Sequence, residues 1–315
     1  MGYIYALLAS LLFGANGSVN KVVLGAGVTP SQLTLVRSMS GAVLCGAVLL
    51  ATNRRAFRVS LRELLALAAL GVIGVAMVQW FYALAISRLP VGIALLIEYT
   101  AVLIVAVVAK VFFAETVKPR LWLAIGCVLA GLAVVAKIWS SDLAPVGIIF
   151  AGLAAVTFAA YLLLGERLVT RTSPLATGFW SMLFAGLFWG VFSSWWNVDP
   201  GLLASRVSLG GHLGGTVLPV WALLCYIAAL GSFLPFLLSF AALGRLKATP
   251  VGIVSTTEIV FAFSVAWAWL GEALDTAQLI GAAIVIVGVG VAQTARSAGT
   301  DRQPVVAASP AFATE

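Results

Sequence analysis

The chain is predicted to be an all-α integral membrane protein, ten transmembrane helices arranged as two inverted five-helix repeats. Three observations predict it. Of its 315 residues, 62% are hydrophobic and 9% charged, with a mean hydropathy of +1.12, against about 25% charged in an ordinary globular domain. The apolar residues gather into ten stretches of membrane-crossing length. One of those stretches occurs twice, as Pro90-Val91-Gly92-Ile93 with Glu98 and as Pro250-Val251-Gly252-Ile253 with Glu258.

A helix needs roughly 17 to 25 mostly apolar residues to cross the hydrocarbon. Such segments fall at about 2-23, 32-51, 64-86, 90-113, 120-139, 146-165, 175-196, 217-243, 249-270 and 276-295. The first has no basic residue before Lys21 and no cleavage signature after it, so it reads as a retained span. With the amino terminus in the cytoplasm, Arg54, Arg55, Arg58, Arg62, Lys118, Arg120, Arg167, Arg171, Arg245, Lys247, Arg296 and Arg302 lie inside, and Lys21, Arg88, Lys137 and Arg206 outside. That imbalance sets the orientation and puts both termini on the cytoplasmic side of the cell's inner membrane. Lys110, near a helix end, can snorkel to the interface. Arg37 is left inside a span. The residues after Arg296 lack apolar periodicity and read as a disordered tail.

The repeat divides the chain into 1-140 and 141-296, followed by the tail at 297-315. Gly2, Tyr5-Ala6 and Phe13 match Gly147, Phe150-Ala151 and Phe158, and Pro30 matches Pro174. Leu67-Ala68-Ala69-Leu70-Gly71 matches Ile227-Ala228-Ala229-Leu230-Gly231, and the same offset of 160 carries through to the two glutamates. Ala114-Glu115 and Gly271-Glu272 then align, each ahead of a glycine, Gly131 and Gly288. Five crossings per half give the halves opposite topologies. That is the layout of secondary transporters whose substrate site lies near the midplane between repeats.

Each proline fits the first turn of a helix, where its missing N–H is no loss. At ~1.5 Å per residue each glutamate then lies ~12 Å into a ~30 Å core. Charged residues at such depth face protein or water and often mark a pathway, though a structural ion pair or a protonated acid is an alternative. Arg37 lies ~9 Å into the second span, close in depth to Glu98, and its counterpart in the second half is Ser181. An Arg37–Glu98 pair is therefore expected, leaving Glu258 to bind a substrate ammonium or carry a proton. Asn16 and Asn20, one turn apart, either line the pathway or bond between helices. Gln79, Trp80 and Tyr82 are pathway candidates at a level where an aromatic belt is also expected. Tyr99, Tyr161, Trp180 and Ser255 complete the candidate pathway. Glu115 and Glu272 are expected to favour the amino end of the helix that follows each.

The ten-span layout, the duplicated unit, the Pro-Val-Gly-Ile stretches and the Ala/Gly-Glu pairs resemble the drug/metabolite transporter superfamily, in its duplicated EamA-type form, over residues 1 to about 296. Tyr82-Ala83-Leu84, Leu89-Pro90-Val91-Gly92-Ile93-Ala94 and Glu98-Tyr99-Thr100 are similar to the branch that exports threonine and homoserine from bacteria. Ser255-Thr256-Thr257 before Glu258 departs from that branch. The resemblance implies a pathway walled by several helices, with the fourth and ninth central.

Other chemistries are set aside. The scattered basic residues form no nucleic-acid face. Cys45, Cys127 and Cys225 sit in apolar runs and read as small buried residues. His212 stands alone in the long connection at about 197 to 216, far from any metal-ligating cluster. No phosphate-cradling loop is present, and no cofactor, metal site or catalytic set is expected. The expected function is secondary transport of a small polar, amino-acid-like metabolite, in the direction of efflux, by alternating access. Its partners are that substrate and the bilayer; proton coupling and a homodimer remain open. The alternative is a membrane enzyme or scaffold. The enzyme lacks a nucleophile–base–orienter set, and the scaffold does not need two mid-membrane acids.

Overall fold

A computed structural model describes residues 1–101, 103–105, 107–108, 120–135, 144–169, 171–197, 199–243, 245, 254–273 and 275–295. The second Pro-Val-Gly-Ile stretch, Lys110, Glu115, Lys118, Lys137, Lys247 and the expected tail lie outside these residues.

Among the described residues, apolar helices fall within each of the expected spans: α1 (Gly2–Gly25), α2 (Pro30–Thr52), α3 (Leu61–Ile86), α4 (Val91–Glu98), α5 (Arg120–Val135), α6 (Pro145–Val169), α7 (Pro174–Phe192), α8 (220–243), α9 (Thr257–Leu270) and α10 (Thr276–Ala295). Six of them, α1, α2, α3, α6, α7 and α8, contain stretches long and apolar enough to cross a membrane by themselves, while the rest are shorter apolar helices. Local chemistry explains where several begin. Thr29 and Gln32 form a reciprocal cap on α2 with Pro30 in its first turn, Ser60 and Glu63 do the same for α3, and Ser173 caps α7 ahead of Pro174.

The repeat reappears in backbone geometry. α3 is π-helical over Leu70–Ala76 and α8 over Ala229–Phe233, at matching places in the two halves. In α8 the widened turn precedes Pro235, which has no N–H to give to the carbonyl of Gly231 four residues back. Packing follows the same symmetry. α5 pairs with α10 and α2 with α7; α3 and α4 pack on α6 as α8 and α9 pack on α1. Exchanging every helix for the one five places along leaves this set unchanged. Gly131 and Gly288 let α5 and α10 touch, because a Cβ on Gly131 would lie 2.8 Å from the Gly281 carbonyl and one on Gly288 2.7 Å from Val128.

All eight residues of α4 are buried, and α4 sits in the largest apolar cluster with α9, α10 and α6. Outward faces carry Leu7, Leu11, Val43, Leu187, Trp267 and Val287, all exposed, as lipid contact requires. Cys45 is buried, whereas Cys225 is exposed on the outer face of α8, which corrects the expectation that all three cysteines are interior.

Two expected spans are not continuous. α4 ends at Glu98; Tyr99 and Thr100 form a turn and the chain is helical again from Ala101. There the Thr100 hydroxyl donates to the Ile97 carbonyl at 2.7 Å and the Thr100 N–H reaches the same carbonyl at 3.1 Å, three residues back instead of four. On the second side Val254 and Ser255 are helical, Thr256 turns, and α9 starts at Thr257. Each half is thus interrupted within two residues of its glutamate. Pro90 precedes α4 with φ −54° and ψ 140°, one place before the first turn where it was expected.

Candidate functional site

α1 presents a stripe of small residues to both glutamate helices. A Cβ on Gly14 would lie 2.9 Å from the Glu258 carbonyl and from the Ala262 nitrogen, and one on Gly17 would lie 2.6 Å from the Tyr82 hydroxyl and 2.5 Å from Val91. Glycine at these two positions brings α1, α3, α4 and α9 together at one level. Glu98 ends α4 and is 8% exposed; Glu258 opens α9, where the helix dipole favours a negative charge. The Tyr99 hydroxyl donates to Glu258 Oε2 at 2.8 Å, so the interruption after Glu98 ties one carboxylate helix to the other across the repeat. Glu98, Glu258, Arg37 and Tyr82 lie close enough to act on one another electrostatically.

Arg37 does not pair with Glu98. Its Nε donates to Ser232 Oγ and its Nη2 to the Gly231 carbonyl, both at 3.4 Å, and no ion pair joins it to Glu98, both being described residues. The reason is Pro235: it frees the Gly231 carbonyl inside the π-helical stretch, and a guanidinium 6% exposed must find acceptors. Asn16 lies against the same glycine, so closely that a Cβ there would overlap its amide. Glu98 Oε2, Asn16 Oδ1, Gln79 Oε1 and both amide atoms of Asn20 are buried with no hydrogen-bond partner among the described residues. Buried polar groups are ordinarily satisfied, so these atoms keep hydrogen-bonding capacity for a polar group; Ser18, Ser38, Trp180 and Ser193 carry buried atoms without a partner among the described residues as well.

The sequence model of the EamA-like transporter family matches residues 1–137 and again 145–292. The chain belongs to that family. No curated protein matches the sequence. Among 27 matching chains of solved structures, one described only as a crystal structure of a protein superposes with a TM-score of 0.63 at 17% identity, over 95% of this chain and 98% of that one. At that identity the two share a fold.

In this EamA-like transporter, Glu98, Glu258, Arg37, Asn16 and Tyr99 come together as described, and Gln79 lies one turn from Tyr82 on α3. Asn20 is fully buried one turn further along α1. Tyr161 stacks on Phe158, which in turn meets Tyr99 edge to face with centroids 5.6 Å apart, so it borders the site through an aromatic chain that continues to Phe236 and Phe13. Ser255 is half-buried just before the turn at Thr256. Trp80 packs on Trp189 and Trp180 on Phe179 and Phe184, in two clusters that each include Tyr161, and among the described residues neither indole is hydrogen-bonded to a carboxylate.

Two further polar residues lie here: Tyr82, for which an interfacial belt was the alternative, and Ser232, which was not expected. Tyr82 is buried against Gly17 instead of belonging to an interfacial belt, and its spacing of three from Gln79 was the available signal. Ser232 became visible only through Arg37. Glu272 also departs from expectation. α10 is capped reciprocally by Asp275 and Gln278, at 2.8 and 3.3 Å. Glu272 instead accepts the Val91 N–H at 2.9 Å and caps α4 of the other half.

Proposed function

We propose that this EamA-like protein is a secondary transporter of a small zwitterionic metabolite, amino-acid-like, exported across the inner membrane by alternating access between inverted halves, with both termini cytoplasmic. The observation that carries the reading is the set of unsatisfied buried polar atoms beside Arg37, Glu98 and Glu258. A substrate carboxylate finds a guanidinium whose present bonds are long, and a substrate ammonium finds two carboxylates. Tyr99 takes one oxygen of Glu258 and leaves acceptor capacity for the ammonium. A substrate with two or more negative charges would meet two carboxylates and one cation, which disfavours phosphorylated sugars. The similarity of residues 82–100 to the threonine and homoserine exporters supports the same class. Either carboxylate is also placed to carry a proton.

The test is counterflow in sealed proteoliposomes preloaded with single amino acids, comparing the parent with Glu258→Ala and Glu98→Ala. Saturable exchange of one class of amino acid, lost in Glu258→Ala, is expected. No exchange of any amino acid by folded protein would overturn the substrate class and move the search to other small polar metabolites.

A further inference from the structure

Above the carboxylates the two halves are joined by polar contacts that the transport reading does not use. Lys21, one turn beyond Gly17 on the same face of α1, forms an ion pair with Glu272 and donates to the Leu89 carbonyl at 3.1 Å. The second oxygen of Glu272 takes the Val91 N–H. α4 has no side-chain cap of its own, since Pro90 stands at its N-cap, so its orphan amide is satisfied only by a carboxylate from the opposite repeat. Three features free Glu272 for this. Gly271 has φ +71°, a left-handed turn that throws the chain back after the π-helical end of α9, and the Glu272 N–H closes that turn on the Ala266 carbonyl at 3.3 Å. Asp275 supplies the cap of α10. The connection at 199–219, with its hairpin Arg206–Ser208 and Val217–Pro219, holds the end of α9 through the Trp269 Nε1 bond to the Leu209 carbonyl and the His212 Nδ1 contact with the Ala268 carbonyl, both 3.0 Å.

We infer that Lys21 and Glu272 form a latch between the repeats: they hold the amino end of the Glu98 helix to the far end of the Glu258 helix, and their separation opens the pathway on the membrane face that carries the 199–219 connection. This rests on the proposal that the carboxylates line a transport pathway. The latch lies beside Lys21's neighbour, buried Asn20, and at the Val91 end of α4, opposite the end that carries Glu98. Charged partners 32% and 16% exposed exchange their contacts for water more readily than an apolar seal does. α4 is eight residues long, so its latch end and its Glu98 end are ~12 Å apart on one rigid element. The interruptions after Glu98 and before Glu258 are where backbone rotation can be absorbed. By the match of Phe13 with Phe158, the sequence counterpart of Lys21 is Glu166 and that of Glu272 is Glu115, so the two halves do not carry the same opposite charges at these places.

Glu272 is thus a positioning residue, and its test reads accessibility as well as transport. In protein lacking Cys45, Cys127 and Cys225, reconstituted with Asn20→Cys as reporter, a membrane-impermeant maleimide is applied to the face bearing the 199–219 connection. Labelling is expected to be slow with the latch intact and at least about tenfold faster in Glu272→Gln and in Lys21→Met. Labelling within about twofold of the parent in monodisperse variants would overturn the latch. Because labelling needs no substrate, this outcome is separate from failure of the transport reading. Should either variant fail to fold, Lys21→Cys/Glu272→Cys joined by a reducible cross-linker decides. Counterflow is expected to stop on cross-linking and return on reduction, and undiminished counterflow in cross-linked protein would refute the latch.

Discussion

Gly71 and Gly231 occupy the same place in the two halves, each inside a π-helical stretch, and what lies against them differs. A Cβ on Gly71 would meet the Ser181 carbonyl at 2.5 Å and the Ala185 nitrogen at 3.3 Å, so the first-half stretch is packed against α7 backbone. At Gly231 the neighbours are the Asn16 amide and the Arg37 guanidinium. Ser181 is the counterpart of Arg37, so the same contact is made twice, once as steric packing and once as polar chemistry. The difference teaches that duplication supplies the frame while divergence at a few positions supplies the binding capacity. Asn16 and its repeat counterpart Tyr161 differ in the same way: an unsatisfied amide in one half, an aromatic stack in the other.

The largest expected effect comes from erasing the difference. Arg37→Ser makes the two positions alike and removes the buried guanidinium with its two long hydrogen bonds. Apparent affinity for a carboxylate-bearing substrate should fall by about 10- to 100-fold in counterflow, while a Ser181→Ala control should leave it within about twofold. An Arg37→Ser protein with parental affinity would break the comparison.

Next come the glycines. Gly71→Ala presses a methyl group onto backbone that cannot yield and should cost about 1–3 kcal/mol, read as a lower Tm in detergent. Gly231→Ala meets a side-chain amide that can turn, so its Tm loss should be smaller and its effect on substrate affinity larger. Equal Tm losses with unchanged affinity would show that both glycines serve packing alone.

A finer test compares the tyrosines. Tyr99→Phe removes the bond to Glu258, about 1 kcal/mol, and should change substrate affinity about fivefold, whereas Tyr161→Phe keeps its ring stack and should change it less than twofold. Smallest are the helix caps. Thr29→Ala, which loses a reciprocal cap, should destabilise by about 1 kcal/mol, and Ser173→Ala, with a single bond to lose, by somewhat less.

Much of the site was legible before the structure. Glu98 and Glu258 stood out because charge in an apolar stretch is costly and must face protein or water, and Arg37 because it had no symmetric copy. Its partner was misjudged, since depth along a helix says nothing of azimuth, and the acceptors Ser232 and Gly231 lie on α8 of the other half. Glu272 was misassigned for a similar reason. A carboxylate near a helix start looks like that helix's cap until a left-handed glycine turns it toward another. Trp80 and Trp180 reach the candidate site only as members of the aromatic clusters that Tyr161 joins.

The sequence by itself determined that the chain is a membrane protein built by duplication, which stretches are helical, and which apolar stretches carry charge. Composition, period and offset are properties of one dimension, and the hydrocarbon core leaves a helix as the way to satisfy an apolar segment's backbone. Only the tertiary structure decided which polar groups meet. Hydrogen bonds depend on angles and approaches of a few ångströms between helices far apart in sequence. The Arg37–Gly231 bond, the Tyr99–Glu258 bond and the Lys21–Glu272 pair each join residues more than 150 positions apart, where no local pattern can record the partner.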